Sequence, residues 1–230
     1  MSRIRSTLRS AGVAMAAVMG LAACTGDEPQ SNSPSTATAE SPAEQFDPRL
    51  AEPFCGMTTA SLELPSREIV DYTEEQGAPD DDGSVITYTC LVLPSEEEQF
   101  AAAERGQAFA VVRTVLSIAH GDLASDPSLP SIPVPFSAGE LDWEDLGEEP
   151  DAYVRTIRCP TEEDCGEAPA IEMNSYERTF KATHQNIYIE MTVTYEAPLD
   201  TAEDLSGSAE YALASYESYV THLIQHLPQQ

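Results

Sequence analysis

Asn186-Ile187-Tyr188-Ile189-Glu190-Met191-Thr192-Val193-Thr194-Tyr195-Glu196 alternates apolar and polar side chains. Ile187, Ile189, Met191, Val193 and Tyr195 fall on one face of an extended chain, and Glu190, Thr192, Thr194 and Glu196 on the other. Successive side chains of a strand point to opposite sides, so this stretch predicts a half-buried strand of an antiparallel sheet with one wet face. Its apolar face needs a cover, and the residues that follow can supply one. From Thr201 to Leu227, Leu205, Ala209, Ala212, Leu213, Tyr216, Val220, Leu223, Ile224 and Leu227 recur at spacings of three and four. That stripe predicts an amphipathic helix, started by Asp200 or Thr201 and ended by Pro228. The expected fold class is α+β, an antiparallel sheet with a long C-terminal helix packed on one face.

Working outward, Ala152–Cys159 and Ala168–Phe180 predict two further strands, and Ser84–Leu93 another, with Ile86, Tyr88, Cys90 and Val92 on one face. Gln107–Ala119 is rich in β-branched residues and is read as a strand rather than a helix. Ser95 followed by Glu98 forms a capping-box pattern, which predicts a short helix running to Arg105. Residues 67–73 are expected to form a short strand and Gly77–Gly83 a turn. Gly121–Pro150 carries Pro127, Pro130, Pro133, Pro135 and Pro150 around the single tryptophan, Trp143. Prolines give extended structure without a partner, so this segment is read as a packed connector with Trp143 in the core rather than as a binding loop.

The chain has 40 acidic and 11 basic residues in 230. Such a surface repels phosphate backbones, and no nucleic-acid partner is expected. Five cysteines are present, and four of them, Cys55, Cys90, Cys159 and Cys165, lie downstream of the N-terminal region. An even count predicts two disulfides if the chain is exported. Three pairings are possible. Cys55 with Cys90 and Cys159 with Cys165 is preferred, because each pair closes within its own half of the chain.

The fifth cysteine bears on export. Arg3, Arg5 and Arg9 precede an uncharged run from Ala11 to Ala23 that is too short to span a bilayer and ends in Leu21-Ala22-Ala23-Cys24. This tetrapeptide resembles the lipobox of bacterial lipoproteins. The resemblance implies a signal peptide over residues 1–23, cleavage before Cys24, and diacylglycerol and palmitate on that cysteine at the extracytoplasmic face of the cell membrane. Two acyl chains suffice to hold a protein stably. Residues 24–46 are rich in Ser, Thr and Pro and have almost nothing to bury, so a lipidated disordered tether is expected there. Its reach is about 25 Å on average and about 70 Å extended. Residues 47–230 are then one domain. Without Arg3, Arg5 and Arg9, 8 basic residues face 40 acidic ones, a formal charge of −32.

Lipobox, tether and crosslinked domain together resemble small actinobacterial lipoproteins of unknown function, some of which have a PsbP-like α+β fold. The resemblance implies a non-catalytic binding or assembly module of the cell envelope, for a protein or a small ligand. Two other functions remain open. One is an envelope hydrolase using carboxylates or a metal on His222 and His226, which stand four apart on a helix but lack the glutamate of His-Glu-x-x-His. The other is a carrier of lipid or apolar cargo in a cavity between helix and sheet, where Tyr211, Tyr216 and Tyr219 could line a pocket or belong to the core. Asp80–Asp82 lack the ligand spacing of a calcium loop. His120 and His184 are isolated and read as surface or capping residues. Neither a Gly-x-Ser-x-Gly nor a Ser-x-x-Lys motif occurs, and no cofactor is expected.

Overall fold

The computed structural model describes residues 45–121, 128–160, 170–199 and 205–229. Residues 1–44, which include the lipobox and most of the expected tether, lie outside them. So do Cys165 and the helix start expected at Asp200 or Thr201.

The alternating stretch forms β7 (Ile187–Pro198), which pairs in antiparallel register with β6 (Ile171–His184) from His184↔Ile187 to Met173↔Pro198. A two-residue turn joins them, with Gln185 at φ 52°. On the other side of β7 lies β4 (Phe109–Ala119), whose β-branched residues do make a strand. Next comes β3 (Val85–Pro94), which alternates buried and half-buried residues throughout. The outer flank of β3 carries β1 (Tyr72–Gln76) and the two-residue β2 (Asp80–Asp81), so that part of the expected turn region pairs as strand. β5 (Asp151–Ile157) pairs with β6 at the far side. The result is a seven-stranded antiparallel sheet of order β1-β3-β4-β7-β6-β5, with β2 beside β3.

One face is covered by the C-terminal helix, here α3 (Leu205–His226), together with α1 (Phe54–Ala60). Tyr216 of α3 stacks on Phe180 of β6 with ring centroids 4.6 Å apart and planes within 10°. Trp143 meets Tyr216 edge-on at 5.9 Å, and its indole N–H donates to Ala138 O at 3.2 Å. Trp143 and Ile132 are buried, so the described part of the proline-rich segment is a packed connector. It runs along β6, where Ile132 N donates to Thr183 O and Glu148 N to Thr179 O, both at 2.8 Å. A Cβ at Gly147 would lie 2.6 Å from Arg178 Nε, so an added side chain there would have to displace that guanidinium from its bonds to Glu144 O and Glu148 O.

The second face is half covered. α2 (Glu96–Glu104) begins at Ser95, whose hydroxyl accepts from Glu98 N at 3.2 Å, as the capping pattern implies. Phe100, Ala102 and Ala103 of α2 pack with Val70, Phe109, Ile157 and Met173 into a second, smaller core.

Further expectations change. Phe46, expected as the last residue of the tether, is buried in the core. Residues 67–70 are not strand but a turn, in which Ile69 N and Val70 N both donate to Ser66 O, and the strand starts only at Tyr72. Pro65 and the positive φ of Ser66 (53°) set that turn, which buries Val70 under α2. His184 is buried rather than on the surface, between the rings of Phe46 (5.9 Å) and Phe136 (6.2 Å).

The N-terminal segment is locked to the sheet at the β6–β7 turn. The Asn186 amide donates to Phe46 O (3.0 Å) and Ala119 O (2.8 Å) and accepts from Phe46 N (2.9 Å). Phe46 also bridges to Gln229, so the first and last described segments meet. Cys55 of α1 is bonded to Cys90 of β3, as preferred from the sequence. Cys159 is also disulfide-bonded, while the residue expected to be its partner, Cys165, is not among the described ones. In the chain-entropy picture the Cys55–Cys90 crosslink stabilises by about 4 kcal/mol. The double variant Cys55→Ala/Cys90→Ala should lose about that amount in urea unfolding, with the far-ultraviolet spectrum of the native protein retained.

Candidate binding surface

The space between α3 and the sheet is filled by protein. Tyr216, Tyr219, Phe180, Leu116, Ile118 and Met191 are fully or almost fully buried there. Burial pushes the phenols of Tyr216 and Tyr219 up, and that of Tyr211 up to about 12, so none of the three ionises at neutral pH. Tyr216 and Tyr219 are therefore core, and Tyr211 packs at its margin.

His222 and His226 stack with ring centroids 4.0 Å apart beside a cleft of about 310 Å³ bordered by Leu50, Glu52, Met57 and Pro228. Nδ1 of His226 donates to His222 O at 2.8 Å, so one ring nitrogen is spent on the helix itself. Among the described residues, no group of three or more His, Cys, Asp or Glu side chains is placed to hold a metal ion. Asp82 is a turn residue. Its carboxylate accepts from Ser84 N, Ser84 Oγ and Val85 N at 2.7–2.9 Å, and these bonds lower its pKa to about 2. No helix among the described residues is long and apolar enough to cross a membrane.

The open half of the second sheet face carries polar side chains that largely satisfy one another. Thr87 pairs with Ser117 at 3.0 Å and Thr179 with Thr192 at 2.9 Å, while Tyr188 donates to Glu190 at 2.7 Å. Lys181, the only lysine, bonds Glu148 at 2.6 Å. This is the wet face that the alternation of β7 implied.

Under α2 the polar row becomes buried. Glu196, on the wet face of β7, has a side chain only 1% exposed and accepts from Arg155 of β5 at 2.6 Å. Among the described residues its second oxygen has no partner, and neither does the hydroxyl of Ser175 directly opposite it. Burial drives the Glu196 pKa up, against the opposing pull of Arg155. The strand pattern had put Glu196 in water; α2 overrides that, and no local signal in the sequence announces it.

The remaining feature is the edge at β5. Six of its seven residues are exposed, and Tyr153 (44%) and Val154 (56%) stand among the exposed large hydrophobics. β5 pairs only with β6 among the described residues, so alternate N–H and C=O groups point outward unpaired. The opposite edge is built differently, with Glu74, Glu75, Asp80 and Asp81 on its short strands. The sequence showed β5 as a strand but not as an edge.

No protein-family model, curated protein or solved structure matches this chain. Among the described residues the structure defines a class only, an α+β domain with one covered sheet face, one half-open face and a free edge carrying exposed Tyr153 and Val154.

Removing Arg155 leaves the Glu196 carboxyl buried without its cation. Arg155→Ala should cost about 2–3 kcal/mol at pH 7, below the usual range for a broken buried pair because Arg155 is half in solvent. A carboxyl whose pKa is raised on folding favours the native state below its ordinary value and opposes it as pH rises through the native value. The loss should therefore shrink as pH falls towards 4.5. Urea unfolding at the two pH values checks this, with Glu196→Gln as the variant whose stability should lack that pH dependence.

Proposed function

We propose that this chain is a lipoprotein of the cell envelope, anchored through diacylglycerol and palmitate on Cys24, whose acidic domain is a non-catalytic binding or assembly module. The observation that carries the binding role is the β5 edge, where unpaired backbone groups lie beside exposed Tyr153 and Val154. Natural sheets blunt their edges with charge, bulges or cover, and this protein does so at β1 and β2. Exposed Tyr153 and Val154 on the free edge of the same sheet are explained by a partner that covers them. The filled interior directs the same conclusion, since Tyr216 occupies the space in which a cargo would sit. The anchor rests on Leu21 to Cys24, the basic residues before it and the tether composition after it.

The two parts separate experimentally. Cys24→Ala should move the protein out of the membrane fraction or leave its signal uncut, as read by fractionation and intact mass. Normal cleavage with unchanged membrane retention would remove the anchor. A photoreactive residue in place of Tyr153, irradiated in intact cells, should capture a specific envelope protein reproducibly. Recovery of lipid alone, or of the same products from a probe at Asp81, would remove the binding role.

A further inference from the structure

We propose that the β5 edge receives an extended, lysine- or arginine-bearing segment of a partner protein as an added strand, a reading that rests on the binding role above. The backbone supplies the first argument. β5 is seven residues long and regularly paired with β6 from Asp151↔Glu177 to Ile157↔Ile171, so its outer side is a straight template for strand addition. Val154 lies on the α3 side of the sheet, level with Asn174, and Tyr153 on the other side, level with Ser175. An added strand would meet one apolar contact on each face.

Charge decides between possible occupants. Glu148, Glu149, Asp151, Glu172 and Glu177 surround β5 along the connector and β6. Of these, Glu148 is bonded to Lys181, which leaves Glu149, Asp151, Glu172 and Glu177. Against them stand Arg155, already bonded to Glu196, Arg158, and Arg178, which donates to the backbone of Glu144 and Glu148. The tyrosine hydroxyl registers the same imbalance. After desolvation, Glu177, Glu196 and Asp151 all push the Tyr153 pKa up and only Arg155 opposes them. A second copy of this chain would bring the same carboxylates to the junction, in a protein that is acidic overall. Like charges across paired strands destabilise, so self-pairing is disfavoured and a basic strand is favoured.

The test uses the protein purified from its own cells and three labelled seven-residue peptides, read by fluorescence anisotropy. One alternates lysine with valine, the second has glutamate for lysine, and the third is the lysine peptide N-methylated at alternate residues along one edge. The lysine peptide should bind, weaken as salt is raised, and lose about tenfold or more in affinity on N-methylation or with Val154→Lys in the protein. Val154 is exposed, so that variant should fold. Thr89→Lys on the open sheet face should bind much as the unaltered protein does. Absence of binding, or equal binding of the N-methylated or glutamate peptide, would overturn the basic-strand assignment. So would self-association abolished by Val154→Lys in sedimentation. If photocrosslinking at position 153 captures a protein while the lysine peptide fails, the binding role stands and only the partner's chemistry is wrong.

Discussion

The contact on which the rest of this domain depends is the stack of Tyr216 on Phe180. Phe180 belongs to the strand paired with β7, Tyr216 to the covering helix, and Trp143 of the connector closes on Tyr216 from the side. Helix, sheet and connector are therefore packed through one aromatic group. Each ring buries a large apolar area and adds an orientation-dependent attraction to its neighbour. Because the sheet has its apolar residues on this side, α3 has one place to dock. Once it is docked, the connector can bury Ile132 and Trp143 only along β6.

That arrangement fixes what happens on the other face. With the large helix committed to one side, the described cover of the wet side is the nine-residue α2 with the turn that carries Val70, and together they cover one end. Glu196 lies under that end and Glu190 beyond it, on the same strand and the same face. Glu190 remains half-buried and bonds Tyr188 and Arg113, whereas Glu196 is cut off from water and bonds Arg155. Two glutamates with one pattern position thus have different electrostatics. The difference is set by a helix nearly a hundred residues away in sequence.

Legibility in the sequence followed the range of the forces involved. The alternation in β7, the stripe of α3 and the Ser95 cap are local and were readable. The fold class and the Cys55–Cys90 bridge agree with the structure. Residues 67–70 misled because Ile69 and Val70 have strand propensity, while Pro65 and Ser66 impose a turn that buries Val70 against Phe100. His184 misled because its burial depends on Phe46 and Phe136, both far off in sequence. The candidate surface was the least readable part. Whether a strand is an edge depends on which strands neighbour it, and β5 becomes one because the connector and β5 occupy successive lengths of the same side of β6.

Topology also separates that edge from the point where the chain joins the domain. Phe46 is held at the β6–β7 turn by Asn186 and bridged to Gln229, so both ends of the described fold sit at that end of the sheet. β5 lies along residues 171–177 of β6, and its nearer end is level with Glu177, seven residues from His184. At the rise of an extended strand this is about 23 Å. The surface with unpaired backbone groups thus lies well away from the end of the sheet where the first and last described segments meet.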